Sequence, residues 1–593
     1  VPIDTLTRAL AQSLHDGNYD EVIAKAPEAF EKENNKEKVL NIVALAQTKK
    51  GQIFDSISNL FNAIQLNPKD HISYVNSAIV ISAFPNHLDD TYLNKLKDYL
   101  LDSLTATPNV LDLTVKVFDQ LKFSEVGDDA WKDRVFQQFA LPYLQALIKK
   151  GMVDFALSIE TQIYVRYLRT GGEDYEERFV RSTRKWYPMM EEMGEKVAEA
   201  LKLPPNKGLT KKNNNKIAFF IHNESTLAHI GTVFSILESY KNRGVRWFEA
   251  TVYAMDGFSQ EMRDSFAEHG VDVVNLGELR PGTAYLHRFL HLRELLRENN
   301  TERLVWVCLT TMMCFAFGLR IAREQIWFCG SFYRGLDIKN IDHRALNMIL
   351  ADKVYENDNE WNVMQFSIRN LCKPIDDIND EVQQARESLI QGKFDCIVGV
   401  LAREQKIQDK HYIEAVANIL KKNPTTLFVW TGVRHDPTVQ SFIDEFGIQE
   451  QSKYLGWVDT AVYCHVIDIF LDSFPFPCGV TLYQAMAAGK ASISLRTSDA
   501  IKMGVHGQLL SVFENLPQYK VEEPGATRLR EIFGQEGERF LCYDQVDDYI
   551  TIASKLINDR DFRFSIANTN KLLADEFFMD DLKMSRSFDK LLS

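Results

Sequence analysis

The eight cysteines (Cys308, Cys314, Cys329, Cys372, Cys396, Cys464, Cys478 and Cys542) include no Cys-x-x-Cys pair. Most lie in apolar runs, so they read as reduced core thiols rather than zinc ligands or disulfides, which implies a cytoplasmic location. Long hydrophobic stretches are also missing. The longest apolar run, Leu304 to Leu319, has 16 residues and two threonines, short of the roughly 20 that cross a bilayer, and reads as strand, turn and buried helix. No transmembrane segment and no secretory leader are expected. Positive charge is in deficit: 68 Lys and Arg stand against 82 Asp and Glu, a net charge of −14, which argues against a general polyanion binder, so no nucleic-acid partner is expected. The chain has no GxxxxGK[ST] and no GxGxxG after a first strand, which removes the P-loop NTPase and ordinary dinucleotide oxidoreductase readings. It has no HExxH and no Asp-x-Asp after a strand, so no metal site is expected.

At 593 residues, 45% apolar and 25% charged, the composition is that of an ordinary globular chain of three or four domains. Residues 1 to about 200 are helical in pattern. Gly17-Asn-Tyr19-Asp-Glu-Val-Ile-Ala and Gly51-Gln-Ile53-Phe-Asp-Ser-Ile-Ser begin 34 residues apart, the tetratricopeptide (TPR) period, with Ala29 and Ala63 at the helix-packing position. Two clear units are too few for a free-standing solenoid, so the helices around 88–150 are expected to complete the stack. This gives TPR-like repeats over 1–150, a helical adaptor over 151–202 rich in aromatics, and a linker over 203–215 (Leu-Pro-Pro-Asn-Lys-Gly-Leu-Thr-Lys-Lys-Asn-Asn-Asn). TPR-like helices usually present a groove to a polypeptide, which is the only pointer to the acceptor. Oligomerisation or membrane apposition is the other use for them.

From Lys216 onward strands alternate with helices: Lys216–Ile221, Glu249–Tyr253, Val271–Val274, Arg303–Leu309, Gln325–Phe328 and Lys353–Tyr355 in one set, then Asp395–Val400 and Thr426–Thr431 in a second. Short gaps favour doubly wound parallel sheets, and thus two Rossmann-like lobes, 216–390 and 391–593, the latter with closing helices at 546–558 and 561–573.

The stretch Asp468-Ile-Phe-Leu-Asp-Ser-Phe-Pro-Phe-Pro-Cys-Gly-Val-Thr-Leu-Tyr-Gln-Ala-Met-Ala-Ala-Gly-Lys490 reads as strand, Pro-rich turn and a short helix over 482–488 stopped by Gly489. Its helix entry suits a phosphate, because first-turn amides lack intrahelical partners, Gly479 permits close approach and Thr481 adds a hydroxyl. A βαβ crossover without a ligand explains the same hydrophobic pattern. The run resembles the donor-binding segment of GT-B glycosyltransferases, most nearly glycosyltransferase family 41, which holds the O-GlcNAc transferases and the bacterial cytoplasmic protein N-glucosyltransferases. The resemblance implies a TPR-like region followed by a two-lobed GT-B core that moves a hexose from a nucleotide sugar, a UDP-sugar, to a polypeptide. No cofactor is implied beyond that substrate.

The resemblance also carries site roles. In Leu401-Ala-Arg403-Glu-Gln-Lys406 it gives Lys406 the diphosphate, with Arg403 as a second cation, and it sets Gly479, Val480 and Thr481 on the same group. Gln484 stands where the family usually has a ribose-binding carboxylate, a departure that leaves the nucleotide open. His465 is a candidate for the base or ribose, against the plainer reading of a core histidine. Ligands of open α/β sheets bind beyond strand carboxyl ends, which brings in the loop His222-Asn223-Glu224-Ser-Thr-Leu-Ala-His229. His229 or Glu224 is expected to take the acceptor's proton, with His222, Asn223, Tyr333 and Arg334 on the acceptor or sugar side. The absence of a spaced Glu pair favours inversion. The rival readings are a GT-B enzyme acting on a saccharide or lipid, and a non-catalytic scaffold.

Overall fold

The computed structural model describes the chain except residues 1–4, 105–108, 124–128, 169–174, 211–214, 224–226, 280–283, 308–310, 330–337, 348–350, 357–358, 365–366, 497–518, 522 and 536. It divides into two compact units, Val1–Thr170 and Gly171–Ser593.

In the first unit the repeat is made by a glycine turn. Gly17 and Gly51 both adopt left-handed φ (79° and 76°), and a helix begins two residues after each, at Tyr19 and Ile53. The helices Tyr19–Lys32 and Ile53–Leu66 pack Ala29 and Ala63 inward at 1% and 0% exposure. Successive hairpins are tied by Asn41, whose Nδ2 donates to Ser73 Oγ at 2.7 Å and whose Oδ1 accepts from Asn76 at 3.0 Å. The same turn recurs at Gly151 (φ 69°) ahead of the helix Val153–Ile163, which packs on Leu141–Lys149. A glycine turn between packed helices thus occurs past 150 as well. The segment expected as an adaptor, 151–202, is shared between the two units.

The second unit opens with the helix Tyr175–Ala200, which meets the short helix Met313–Gly318 at a glycine crossing. A Cβ on Gly194 would sit 2.2 Å from the Phe315 carbonyl oxygen, and one on Gly318 would sit 2.1 Å from that of Glu191, so only hydrogen fits at either place. The strands that follow are β1 Lys216–Ile221, β2 Glu249–Ala254, β3 Asp272–Asn275, β4 Arg303–Trp306, β5 Glu324–Cys329, β6 His343–Asn347, β7 Ala351–Glu356 and β8 Asn359–Met364. They form a nine-stranded sheet ordered β14-β7-β8-β6-β5-β4-β1-β2-β3, with β14 being Tyr519–Val521. The expectation of a wholly parallel sheet is corrected at one edge, where β7 pairs antiparallel with β8 and β14 antiparallel with β7. Only residues 357–358 separate β7 from β8, too short for a crossover, so the chain makes a hairpin. β14 comes from the stretch assigned to the other lobe.

The second sheet, β11-β10-β9-β12-β13-β15, is parallel in every pairing. Its strands are β9 Cys396–Val400, β10 Thr426–Trp430, β11 Ser452–Tyr454, β12 Ile469–Leu471, β13 Ala491–Leu495 and β15 Cys542–Tyr543. β9, β10, β12 and β13 are buried along their whole length, as a parallel sheet covered on both faces requires. Two Rossmann-like lobes after a helical region give the GT-B architecture.

Besides the excursion of β14 to the first sheet, the chain passes between the lobes near Ile368–Leu371 and near Ala574–Phe578. The outward crossing, around Ile368–Leu371, and the return, Ala574–Phe578, are hydrogen-bonded through Ile368 N–H to the Phe578 carbonyl at 2.8 Å. The last helix, Lys583–Leu592, lies on the first lobe and puts Met584, Phe588, Leu591 and Leu592 into its core. Asp589 on that helix accepts hydrogen bonds from Tyr240, Trp247 and Arg243.

Candidate active site

The carboxyl edge of the second sheet collects four loops, and the one after β12 is the most tightly built. Asp472, 1% exposed, accepts the Cys478 N–H on Oδ1 and the Ser494 hydroxyl on Oδ2, both at 2.7 Å. Ser473 Oγ donates to the Phe476 carbonyl at 2.8 Å. Phe474 lies edge-on to Tyr412 and Tyr549, whose hydroxyls donate to the carbonyls of Leu471 (2.9 Å) and Asp472 (3.1 Å). A Pro-rich turn is thus held from beneath by one carboxylate and from the sides by aromatic rings.

That turn delivers the chain to the helix Val480–Ala487, which begins two residues earlier than the apolar pattern suggested. Gly479 occupies the N-cap position, where it supplies no side-chain cap, and a Cβ placed on it would meet nothing within 4 Å. The amides of a helix's first turn have no intrahelical acceptors. The space a Gly479 Cβ would fill is open, and room beside a helix entry is what an anion needs.

Lys406 belongs to the loop after β9 and reaches this turn. Its Nζ donates to the Pro477 carbonyl at 2.6 Å and sits 4.9 Å from the centre of the Phe476 ring. The loop is braced from β10: Ala402 N–H donates to Thr431 Oγ1, which donates back to the Ala402 carbonyl, both at 2.8 Å. Glu404, 2% exposed, accepts the Val433 N–H at 2.9 Å. Arg403 is exposed at the start of the same loop. Lys406, Gly479, Val480 and Thr481 are therefore brought together, with Arg403 on the rim.

Gln484 is one turn further along the helix and 5% exposed. Its Nε2 donates to the Leu371 carbonyl of the outward crossing, so its amide is committed to the joint between the lobes rather than presented with the loop amides. His465 is corrected outright. It ends the helix Thr460–Val466, which leads into the amino end of β12, and its carbonyl accepts Lys490 Nζ (2.8 Å), from the residue before β13. Its ring faces the Lys373 carbonyl at 3.0 Å, and burial lowers its pKa, with that carbonyl opposing and Lys490 adding to the fall. It occupies the amino edge of the sheet, opposite the turn after β12.

On the first lobe, His222 and Asn223 follow β1, and His229 lies in the first turn of the helix Leu227–Arg243; all three are half-buried. His222 Nε2 is 3.8 Å from Asp256 Oδ2, in the loop after β2, and Arg288 Nη1 donates to Asp256 Oδ1 at 2.8 Å. Burial lowers the His222 pKa; Asp256 raises it and Arg288 lowers it further, so the imidazole is neutral at neutral pH. Glu224, Tyr333 and Arg334 lie outside the described residues.

Four participants went unread in the sequence: Asp472, Asp256, Trp457 and Val433. Asp472 and Asp256 sit just past strand ends, the positions used to single out His222, and the same rule applied to β2 and β12 finds them. Trp457 and Val433 are 61% and 66% exposed. Each follows a glycine at a strand's carboxyl end, and Gly432 N–H donates to the Gly456 carbonyl at 3.4 Å. Val433 adjoins the Lys406 loop through its N–H to Glu404, and the exposed Trp457 is a flat apolar surface on the neighbouring loop.

No family model and no curated protein matches the chain. Among solved structures it is similar to a mutant of Thermobaculum terrenum O-GlcNAc transferase (14% identity, TM-score 0.49, covering 100% of this chain and 97% of that one). It is similar to Anabaena Alr3699/HepE in complex with UDP and glucose (16%, 0.45, covering 64% and 99%). It is also similar to UDP-GlcNAc 2-epimerase from Neisseria meningitidis bound to UDP-GlcNAc (14%, 0.38, covering 64% and 99%). At these identities and scores the likeness fixes neither substrate nor reaction.

Proposed function

We propose that this chain is a glycosyltransferase of the family 41 kind, moving a hexose from a UDP-sugar to a polypeptide side chain with inversion and without a metal. The supporting observation is the convergence of the Lys406 ammonium, 2.6 Å from the Pro477 carbonyl, with the uncapped, open amino end of the helix Val480–Ala487. In the proposed reaction the acceptor's nucleophile forms a bond to the anomeric carbon as the bond from that carbon to the diphosphate oxygen breaks. The electron pair leaves with the nucleoside diphosphate. Lys406, Arg403 and the amides of Gly479, Val480 and Thr481 compensate that charge without reorganising. The acceptor's proton passes to a group on the loop after β1: His229 or Glu224, or His222, whose neutral imidazole is able to accept it. Trp457 and Val433 would carry the base.

The test is single-turnover transfer from UDP-hexoses to candidate polypeptides, followed by intact mass. Lys406→Ala is expected to lower the rate by about 100- to 1,000-fold, roughly 3–4 kcal/mol of barrier. An undiminished rate removes the phosphate clamp. Transfer to saccharides alone would move the acceptor class.

A further inference from the structure

Asp472 has an energetic oddity. Its carboxylate is 1% exposed, and the partners that bond it directly are neutral: the Cys478 N–H and the Ser494 hydroxyl, each at 2.7 Å. Tyr412 from the helix Lys410–Lys422, Tyr549 from the helix Val546–Asn558 and Cys478 from the turn also face it. Burial holds all three protonated, the Cys478 thiol pushed up to about 11 and the two phenols well above their usual range. Lys406 is the cation acting on Asp472. A carboxylate withdrawn from water with mainly neutral donors is costly in its charged form. Burial accordingly pushes its pKa up to about 6, against the opposing Cys478 amide, Ser494 hydroxyl and Lys406.

Resting on the donor-site reading above, we propose that Asp472 is a positioning residue that takes up a proton from solvent when a diphosphate settles on the neighbouring turn. Its hydrogen bond to Cys478 places it one residue from Gly479, and it shares Lys406 with the proposed anion. Loading therefore brings a second negative charge toward a buried first one, while Lys406, which acts on the first, is held at the Pro477 carbonyl of the same turn. Protonation relieves this and keeps the turn in place: one oxygen still accepts the Cys478 N–H, while the new O–H donates to Ser494 Oγ, whose hydroxyl rotates away. One proton enters from water, and no bond between heavy atoms forms or breaks.

The sign follows from linkage. A pKa higher in the loaded than in the free protein makes affinity greatest below about pH 6 and weakens it as pH rises through the free and then the loaded value. Titration calorimetry of the full chain with UDP-glucose, whose diphosphate does not ionise in this range, reads the uptake directly when repeated in PIPES and imidazole. The wild type is expected to take up a fraction of a proton near neutrality and to bind about tenfold more weakly at high than at low pH, the effect of a shift of about one unit. Asp472→Asn, which keeps an acceptor for Cys478, is expected to bind with no uptake and no slope. Asp472→Ala, lacking the acceptor, is expected to bind weakly at every pH. Wild-type binding without uptake, or uptake that persists in Asp472→Asn, overturns the inference alone. No binding of UDP-glucose at all removes the donor-site reading and this inference with it.

Discussion

Gly479 allows the proposed anion site to be tested apart from the fold. Its φ is negative, and an added methyl meets nothing within 4 Å, so Gly479→Ala introduces no clash within the protein. The methyl would instead occupy the space where a diphosphate must approach the helix amides. Thermal stability is expected to change by no more than about 0.5 kcal/mol, the range of unencumbered surface substitutions. Calorimetry with UDP is expected to show at least about tenfold weaker binding, roughly 1.4 kcal/mol. Equal affinity in the variant would place the phosphate elsewhere. What chain position made legible was placement: Lys406 lies past β9, and Gly479 to Thr481 at a helix entry. His465 was misplaced because a histidine near a motif carries no record of which sheet edge it occupies, and that depends on the direction of the helix Thr460–Val466. Trp457 was passed over because only coordinates show that a tryptophan after a glycine is 61% exposed.

The helix Val480–Ala487 does more than end a turn. Gln484 donates to the Leu371 carbonyl of one crossing, and Tyr483 packs its ring 4.4 Å from that of Phe578 on the other. The element proposed to hold the donor is thereby fixed to two of the segments that join the lobes. This also accounts for an amide at this position, since a carboxylate there would face a carbonyl oxygen. Gln484→Glu is therefore expected to destabilise the protein by about 1–3 kcal/mol at neutral pH, the cost of a buried polar group left without a donor, with no gain in UDP affinity. Thermal melts and calorimetry check both halves, and a stable variant that binds UDP more tightly would restore the ribose contact. Periodicity and turn residues located most elements to within a few positions. They missed the β7–β8 hairpin and the return of β14, since pairing between distant segments leaves little local pattern in either strand.

One hydrophobic cluster, Leu10 to Ala46, lies within the first unit, while the cores of the two lobes draw on Ile217 to Leu592. Even the residue farthest along the sequence serves the second unit, because the helix Lys583–Leu592 closes the first lobe through Phe588 and its neighbours. Every residue placed at the candidate site, from His222 to Thr481, also belongs to 171–593. The proposed nucleotide binding therefore falls to that unit, and the proposed polypeptide selection to the TPR-like array of 1–170. Residues 171–593 expressed alone are expected to bind UDP within about twofold of the full chain, less than 0.5 kcal/mol apart, and to lose transfer to polypeptides. Calorimetry and intact-mass measurement on the two proteins side by side check this. Polypeptide transfer at the full rate by 171–593 would take acceptor choice away from the helices and place it in the lobes.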